Sequence, residues 1–418
     1  MLQREWGDKM KVLMLGNGFD INYKLLTKYI NFLNIANHIS TTALTDIKTV
    51  GDILGSEKLQ KVDQDVARSY QEYKRAYDAT LLEESMLRKL SELANNNLLF
   101  LFLFKSFNRD VGWIDFEKEI SVVLQAFRHF LEQERPVYDA AKFPESALDR
   151  FIIAQFSFFH QSANPGLHNN STRQVTDEYI IEYPYGSTLK IIHKEKIIET
   201  LEKQMLDLAD GLRIYLKCFV ENVVIEMCKL KCLHTLPAIT GASHVVTFNY
   251  TDTYERLYSS ERVYHIHGST KDRIILGINP DEADEVSTID VSFLRFKKYF
   301  QRVICHSDDN YLKWVRQNHA NAALVVMGHS LDVTDKDVIM QMFDMAKDIT
   351  VLYYSENAEA SMVANLIKIY GKEKFDELRI KKRLRFLPQD ASYKGFAEDR
   401  QSKEMSAFVS AMGNPMVF

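Results

Sequence analysis

Met10-Lys11-Val12-Leu13-Met14-Leu15-Gly16-Asn17-Gly18-Phe19-Asp20 is the stretch that decides the fold. Its first six residues are apolar except for Lys11 and end at a glycine, the pattern of a short buried strand. From Asp20 to Asn34 the apolar residues Ile21, Leu25, Tyr29 and Phe32 recur at helical spacing, which predicts a helix after the glycine turn. Strand, glycine turn and helix in that order form a Rossmann-like opening. Residues 1–9 are polar, charged and without period, so the fold is expected to begin near Met10.

Further along the chain the pattern changes. From about Ser56 to Lys231 long charged amphipathic segments follow one another, including Leu59 to Asn95, Asp115 to Glu134 and Lys194 to Lys231. Between them Phe143 to Thr188 is rich in Asn, Ser, Pro and Tyr and is expected to be a loop, with a hairpin at Glu178 to Ile192. Strand patterns return at His244 to Phe248, Val263 to Ile266, Arg273 to Leu276, Ala322 to Met327 and Ile349 to Tyr354. Apolar runs of this length, separated by helical stretches, predict a parallel sheet covered on both faces. The expected class is therefore α/β: a Rossmann-like parallel sheet flanked by helices, with a large helical insertion. The divisions are a discontinuous nucleotide-binding domain over 10–55 and 236–385, a mainly helical insertion over 56–235, and a C-terminal tail over 386–418.

Bulk properties narrow the function classes. The chain has 418 residues, 46% hydrophobic and 26% charged, which is ordinary globular usage and excludes a disordered or fibrous protein. A net charge of -5 supplies no global basic field, so nucleic acid is not indicated as a partner. The longest apolar run, Leu98 to Phe104, is far too short for a bilayer span, and no signal-peptide core opens the sequence. Four scattered cysteines suit a reducing cytoplasm rather than a disulfide framework. The expectation is a cytoplasmic protein without a membrane association.

Chemistry is expected where strands end. Gly16-Asn17-Gly18, with Phe19 and Asp20, would let a pyrophosphate approach the backbone at the start of a helix, although the third glycine of the dinucleotide fingerprint is replaced by Ile21. Asp20 is equally suited to capping that helix or to contacting a ribose hydroxyl. Thr247-Phe248-Asn249-Tyr250-Thr251-Asp252-Thr253 puts Asn249 and Asp252 at the carboxyl end of a parallel strand, where ligands of open α/β sheets bind. In His265-Ile266-His267-Gly268-Ser269 the two histidines alternate along a strand. No carboxylate follows at a supporting spacing, so no metal site is expected. His267, beside Gly268 and Ser269, is better suited to act as a base or charge stabiliser, and His265 as its supporting neighbour. Gly328-His329-Ser330 ends another strand and offers backbone and hydroxyl donors.

The order of these segments resembles the bacterial abortive infection AbiH family. The resemblance rests on Gly16 to Asp20 with Leu26-Thr27 and Tyr29-x-x-Phe32, on Trp113-x-Asp115-x-Glu117, and on Phe248-Asn249-Tyr250-Thr251. It continues through His265-Ile266-His267-Gly268, Phe296-Lys297-Lys298-Tyr299-Phe300-Gln301 and Met327-Gly328-His329-Ser330. It departs at Tyr23 and Lys24, where members often carry His-Gly. The catalytic half is also similar to a remote sirtuin in Gly16 to Phe19, Phe248 to Glu255, His267 to Ser269 and Gly328 to Leu331. That resemblance implies that Asn249 orients the nicotinamide ribose region of NAD and that His267 acts as base at the ribose. The four-cysteine zinc ribbon of protein-deacetylating sirtuins has no counterpart here, which turns the expectation from deacylation to NAD cleavage.

The resulting expectation is an antiphage effector that hydrolyses NAD at the nicotinamide N-glycosidic bond. Catalysis would fall to Asn249 and His267. Gly16, Asn17, Gly18, Phe19, Asp20, Asp252, Gly268, Ser269, Gly328, His329 and Ser330 would bind the nucleotide. NAD would be substrate, with no separate cofactor, and the expected partners are a phage-derived trigger protein and further copies of the chain. The alternative is a nucleotide-sensing or partner-binding defence module without catalysis.

Overall fold

The computed structural model describes residues 10–107, 116–132, 190–236, 239–258, 262–278, 291–307, 309–317 and 322–389, with short pieces between 152 and 182. Trp113, Asp115, most of the 143–188 stretch and residues 390–418 lie outside the described residues.

Six strands form one sheet: β1 (Met10–Leu15), β2 (His244–Thr247), β3 (Val263–His265), β4 (Ala322–Met327), β5 (Ala346–Tyr353) and β6 (Leu384–Pro388). Every pairing is parallel, and the spatial order is β6-β5-β4-β1-β2-β3. Winding outward from β1 in both directions is the doubly wound arrangement, in which ligands bind beyond the carboxyl ends of the strands. The expected fold class is thus the observed one.

The central strands are buried on both faces, which is why they read as unbroken apolar runs. In β1, Leu13 and Leu15 face one core and Val12 and Met14 the other. The same alternation separates Val325 and Met327 from Leu324 and Val326 in β4. The first face carries the helical insertion. Its core runs without interruption from Leu13 through Phe32 and Phe127 to Leu201 and Val223. The second face is covered by the later helices, including Lys336–Met345 and Glu356–Tyr370.

Three details differ from the pattern expected of the sequence. Arg273 to Leu276 is not a strand of the sheet. Ile274 makes one isolated antiparallel bridge to Gly268, and the Ile275 N–H donates to the His267 carbonyl at 2.8 Å. Ile274, Ile275 and Leu276 are nonetheless buried, so the apolar run records burial rather than sheet pairing. Conversely β6 lies across the expected boundary at 385. It is a short edge strand ending in Pro388, a position that tolerates a residue without an N–H donor. Leu59 to Asn95 divides into helices Glu57–Val62, Gln64–Ala79 and Glu84–Asn96. Asp63 caps the second of these through its carboxylate. The expected hairpin is present, with Ile180–Glu182 antiparallel to Lys190–Ile192.

Candidate functional site at the carboxyl rim of the sheet

The loops after β1 and β4 cross at van der Waals contact. The Gly16 N–H donates to the Met327 carbonyl (3.0 Å) and the Gly18 N–H to the Gly328 carbonyl (2.8 Å). A Cβ on Gly18 would stand 2.7 Å from the Gly328 Cα, and one on Gly328, at φ +69°, would stand 2.2 Å from the Phe19 nitrogen. The three glycines therefore have a conformational reason to be there: only bare backbones fit this crossing. The Phe19 N–H is also taken, by the Gly16 carbonyl at 2.9 Å. The donors that a pyrophosphate would use at Gly16, Gly18 and Phe19 thus all have protein partners. Phe19 turns its ring inward, onto Tyr23 (5.3 Å) and Tyr254 (5.9 Å). Asn17 reaches the Thr27 carbonyl through its side-chain amide (3.2 Å).

After β2, Asn249 is 6% exposed and its Oδ1 has no hydrogen-bond partner among the described residues. Its carbonyl accepts from His265 Nδ1 at 2.8 Å, while His265 Nε2 lies 2.8 Å from Glu255 Oε1. Burial opposes charge on His265, but the hydrogen bond and attraction of Glu255 outweigh it and hold the pKa above its ordinary value. The imidazole thereby ties the backbone of Asn249 to Glu255.

Asp20 does not cap its helix. It is 1% exposed and accepts from the Thr251 hydroxyl at 2.6 Å through Oδ2, joining the loops after β1 and β2. Its Oδ1 has no hydrogen-bond partner among the described residues. Burial pushes its pKa up to about 7. Asp252 is held by Arg256 through paired hydrogen bonds of 2.6 and 2.7 Å. Its N–H donates to Glu221 Oε1 at 3.0 Å, and the Thr270 hydroxyl donates to the same oxygen. Glu221 belongs to a π-helical turn, Lys217–Glu221, between helices Lys194–Leu216 and Asn222–Lys229. The extra residue of such a turn re-aims a side chain, and here it brings an insertion carboxylate beneath two rim loops.

Beyond β3, His267 is 5% exposed, and Nε2 stands 3.1 Å from Asp335 Oδ1 without hydrogen-bond alignment. The same oxygen is 3.3 Å from Lys298 Nζ, which lies 2.7 Å from Glu117 Oε2. His329 completes the group, with Nε2 at 3.6 Å from Asp335 Oδ2 and Nδ1 accepting the Leu331 N–H at 2.9 Å. The Phe248 ring touches both histidines, 5.2 Å from His267 and 4.2 Å from His329. Burial and the Lys298 charge bring the His267 pKa down to about 4. Burial works against ionisation of Asp335 and of Lys298. Their mutual attraction, reinforced by His267 and Glu117 respectively, prevails and keeps the carboxyl well below its ordinary range and the amine above its own.

The structure therefore gathers Asn249, His267 and His329 with Asp20 and the two glycine loops at one end of the sheet. Gly268, at φ +76°, makes the turn that returns the chain against Arg273. The Ser269 hydroxyl accepts the Lys271 N–H at 3.3 Å, and Ser330 is exposed on the outer side of the rim. Sequence reasoning gave no role to Asp335, Lys298, Glu117 or Glu221. Lys298 and Glu117 stood inside segments that carried the family resemblance, a signal that could have flagged them. Asp335 and Glu221 had none, because a lone acid at a helix end resembles any cap. Among the described residues no group of three or more His, Cys, Asp or Glu side chains is arranged to hold a metal, and no helix is long and apolar enough to cross a membrane.

Fold and rim together define a doubly wound α/β protein with a buried polar centre beyond the strand ends. A family model described as bacteriophage abortive infection AbiH matches residues 12–354, and the chain belongs to that family. Membership implies a role in abortive infection as defence against phage. No curated protein and no solved structure matches the chain.

Proposed function

We propose that this chain hydrolyses NAD at the nicotinamide N-glycosidic bond when it acts in phage defence. The supporting observation is the pair of buried acceptor oxygens, Asn249 Oδ1 and Asp20 Oδ1, that lack partners among the described residues. An unsatisfied buried polar atom costs about 1–3 kcal/mol, so two on one rim call for a ligand that donates. A ribose supplies hydroxyl donors without bringing negative charge towards Asp20. A phosphate would bring only acceptors. The ribose next to nicotinamide accordingly belongs at Asn249, Asp20 and His267, as the sirtuin resemblance implies. The pyrophosphate belongs away from Gly16 and Gly18, whose N–H groups are taken.

The chemistry is balanced by water. The bond from the ribose carbon to the nicotinamide nitrogen breaks, and its electron pair leaves with neutral nicotinamide. A water oxygen bonds the ribose carbon and loses one proton, which His267, neutral at physiological pH, is suited to accept. Asn249 orients the water or the ribose hydroxyls, and Asp20 accepts from a hydroxyl once ionised. Incubating the purified protein with NAD, with and without phage-infected extract as trigger, and measuring nicotinamide tests the reading. Release that Asn249→Ala abolishes supports it. Binding of NAD without release, in every condition, favours the sensing module, for which the near closure of the rim over Asn249 and His267 also speaks.

A further inference from the structure

His267 is faced by four ionisable groups from three elements. Asp335 follows β4, at the entry to helix Lys336–Met345. Lys298 and Arg302 belong to helix Lys298–Ile304, and Tyr250 follows β2. Asp335 is the one within ion-pair distance of a ring nitrogen, at 3.1 Å from Nε2. Its own position is fixed from two other directions, by Lys298 Nζ at 3.3 Å and by His329 Nε2 at 3.6 Å. Lys298 is anchored in turn by Glu117, at the start of insertion helix Phe116–Glu132. The group spans the loop after β3, the loop after β4 and the insertion. His267, Asp335, Lys298 and His329 are buried and Glu117 is half-buried, so it is not a set of solvated surface pairs.

We propose that Asp335 is the positioning residue for His267, holding the ring proton on Nε2 so that Nδ1 is the nitrogen left to accept a proton, with Lys298 and Glu117 fixing Asp335. A carboxylate beside one imidazole nitrogen selects the tautomer that carries its hydrogen there, and the other nitrogen keeps its lone pair. A lone Asp335 would also draw a second proton onto the ring and remove that lone pair. Lys298 offsets this by placing a positive charge on the same carboxylate oxygen. The imperfect alignment of Nε2 with Asp335 fits a resting enzyme, since catalytic hydrogen bonds often tighten only when substrate is bound. This inference rests on the reading of His267 as the proton acceptor, but its geometric part concerns the ring alone.

The test is two-bond 1H–15N correlation spectroscopy of histidine-labelled full-length protein at pH 7, with His267 assigned by comparison with His267→Gln. The expected spectrum shows His267 neutral with its proton on Nε2. Asp335→Asn should shift population to the Nδ1–H form and lower kcat for nicotinamide release by about 100-fold or more with little change in KM. Lys298→Met should move the acid limb of the pH profile upward, because the charge that suppresses protonation is gone. A wild-type ring protonated on Nδ1 overturns the proposal even if neither Asp335→Asn nor Lys298→Met folds. So does an Asp335→Asn protein with the wild-type tautomer and wild-type kcat. If the tautomer behaves as expected but no condition yields nicotinamide, the positioning stands and the NAD reading falls.

Discussion

His265 and His267 are separated by one residue, yet their surroundings shift their pKa values in opposite directions. His265 lies between the Asn249 carbonyl and Glu255, and the hydrogen bond and charge of Glu255 outweigh burial and the Lys271 charge to hold its pKa above the ordinary value. His267 also faces a carboxylate, but Asp335 is already claimed by Lys298, and burial then keeps the ring neutral. The presence of an acid beside a histidine therefore does not decide its charge. Burial lowers both pKa values, and at His267 the Lys298 charge that also claims Asp335 adds to it, whereas at His265 the Glu255 hydrogen bond prevails. The first arrangement braces a backbone, and the second leaves a neutral ring of the kind the proposed reaction needs.

The largest effect that would sharpen this contrast is on catalysis. Replacing His267 or Asn249 by Ala should lower nicotinamide release by about 100- to 10,000-fold and leave a cooperative thermal transition. His265→Gln should act chiefly on stability. Comparable losses of kcat from His265→Gln and His267→Ala would break the distinction between base and brace.

Next comes Lys298→Met, which takes from the buried Asp335 the cation it faces. Breaking a buried pair in this way costs about 3–5 kcal/mol, readable in urea unfolding. The His267 pKa should rise from about 4 towards neutrality. An unchanged pKa in a folded variant would remove Lys298 from the account.

The pH dependence of stability gives a third test. His267, at about 4 in the fold and about 6.5 when unfolded, binds fewer protons folded than unfolded between those values. Its contribution is therefore lost as pH falls from about 6.5 to 4. Asp20, at about 7 in the fold and about 3.9 unfolded, does the reverse: its contribution is present below about 4 and lost as pH rises to 7. Each slope is about 1.4 kcal/mol per pH unit, so the two largely cancel. Asp20→Asn should expose the acid-side loss from His267, and His267→Ala the opposite slope. Parallel stability profiles for both variants would contradict the assignment.

Smaller effects concern the backbone. Gly328→Ala places a side chain at φ +69° and against the Phe19 nitrogen, costing about 1–3 kcal/mol from conformation alone and more from the clash. Lys24 has a left-handed φ of +56°, the conformation glycine takes without penalty. Lys24→Gly should thus raise stability by less than about 1 kcal/mol, measured as a small increase in Tm.

Much of this architecture was legible because doubly buried parallel strands leave unbroken apolar runs, and β1, β2, β4 and β5 are such strands. The edge strand β6 and the buried loop at Arg273 to Leu276 escaped because local periodicity records burial without saying what pairs with what. Asn249 and His267 were legible because each follows a strand and belongs to an ordered set of motifs. The ion cluster was not. Glu117 and Asp335 are 218 residues apart and meet only through Lys298, and long-range charge pairing leaves no spacing to recognise. The glycines also approach another glycine loop closely, a contact between distant segments that no local spacing shows.

The central claim is that the rim around Asn249 and His267 cleaves NAD, and quantifying nicotinamide after incubation with full-length protein, unprimed and with phage-infected extract, tests it most directly. The account predicts release in at least the triggered sample from wild-type protein and almost none from Asn249→Ala or His267→Ala. Equal release from wild type and both folded variants, or none from wild type under any trigger, would contradict it.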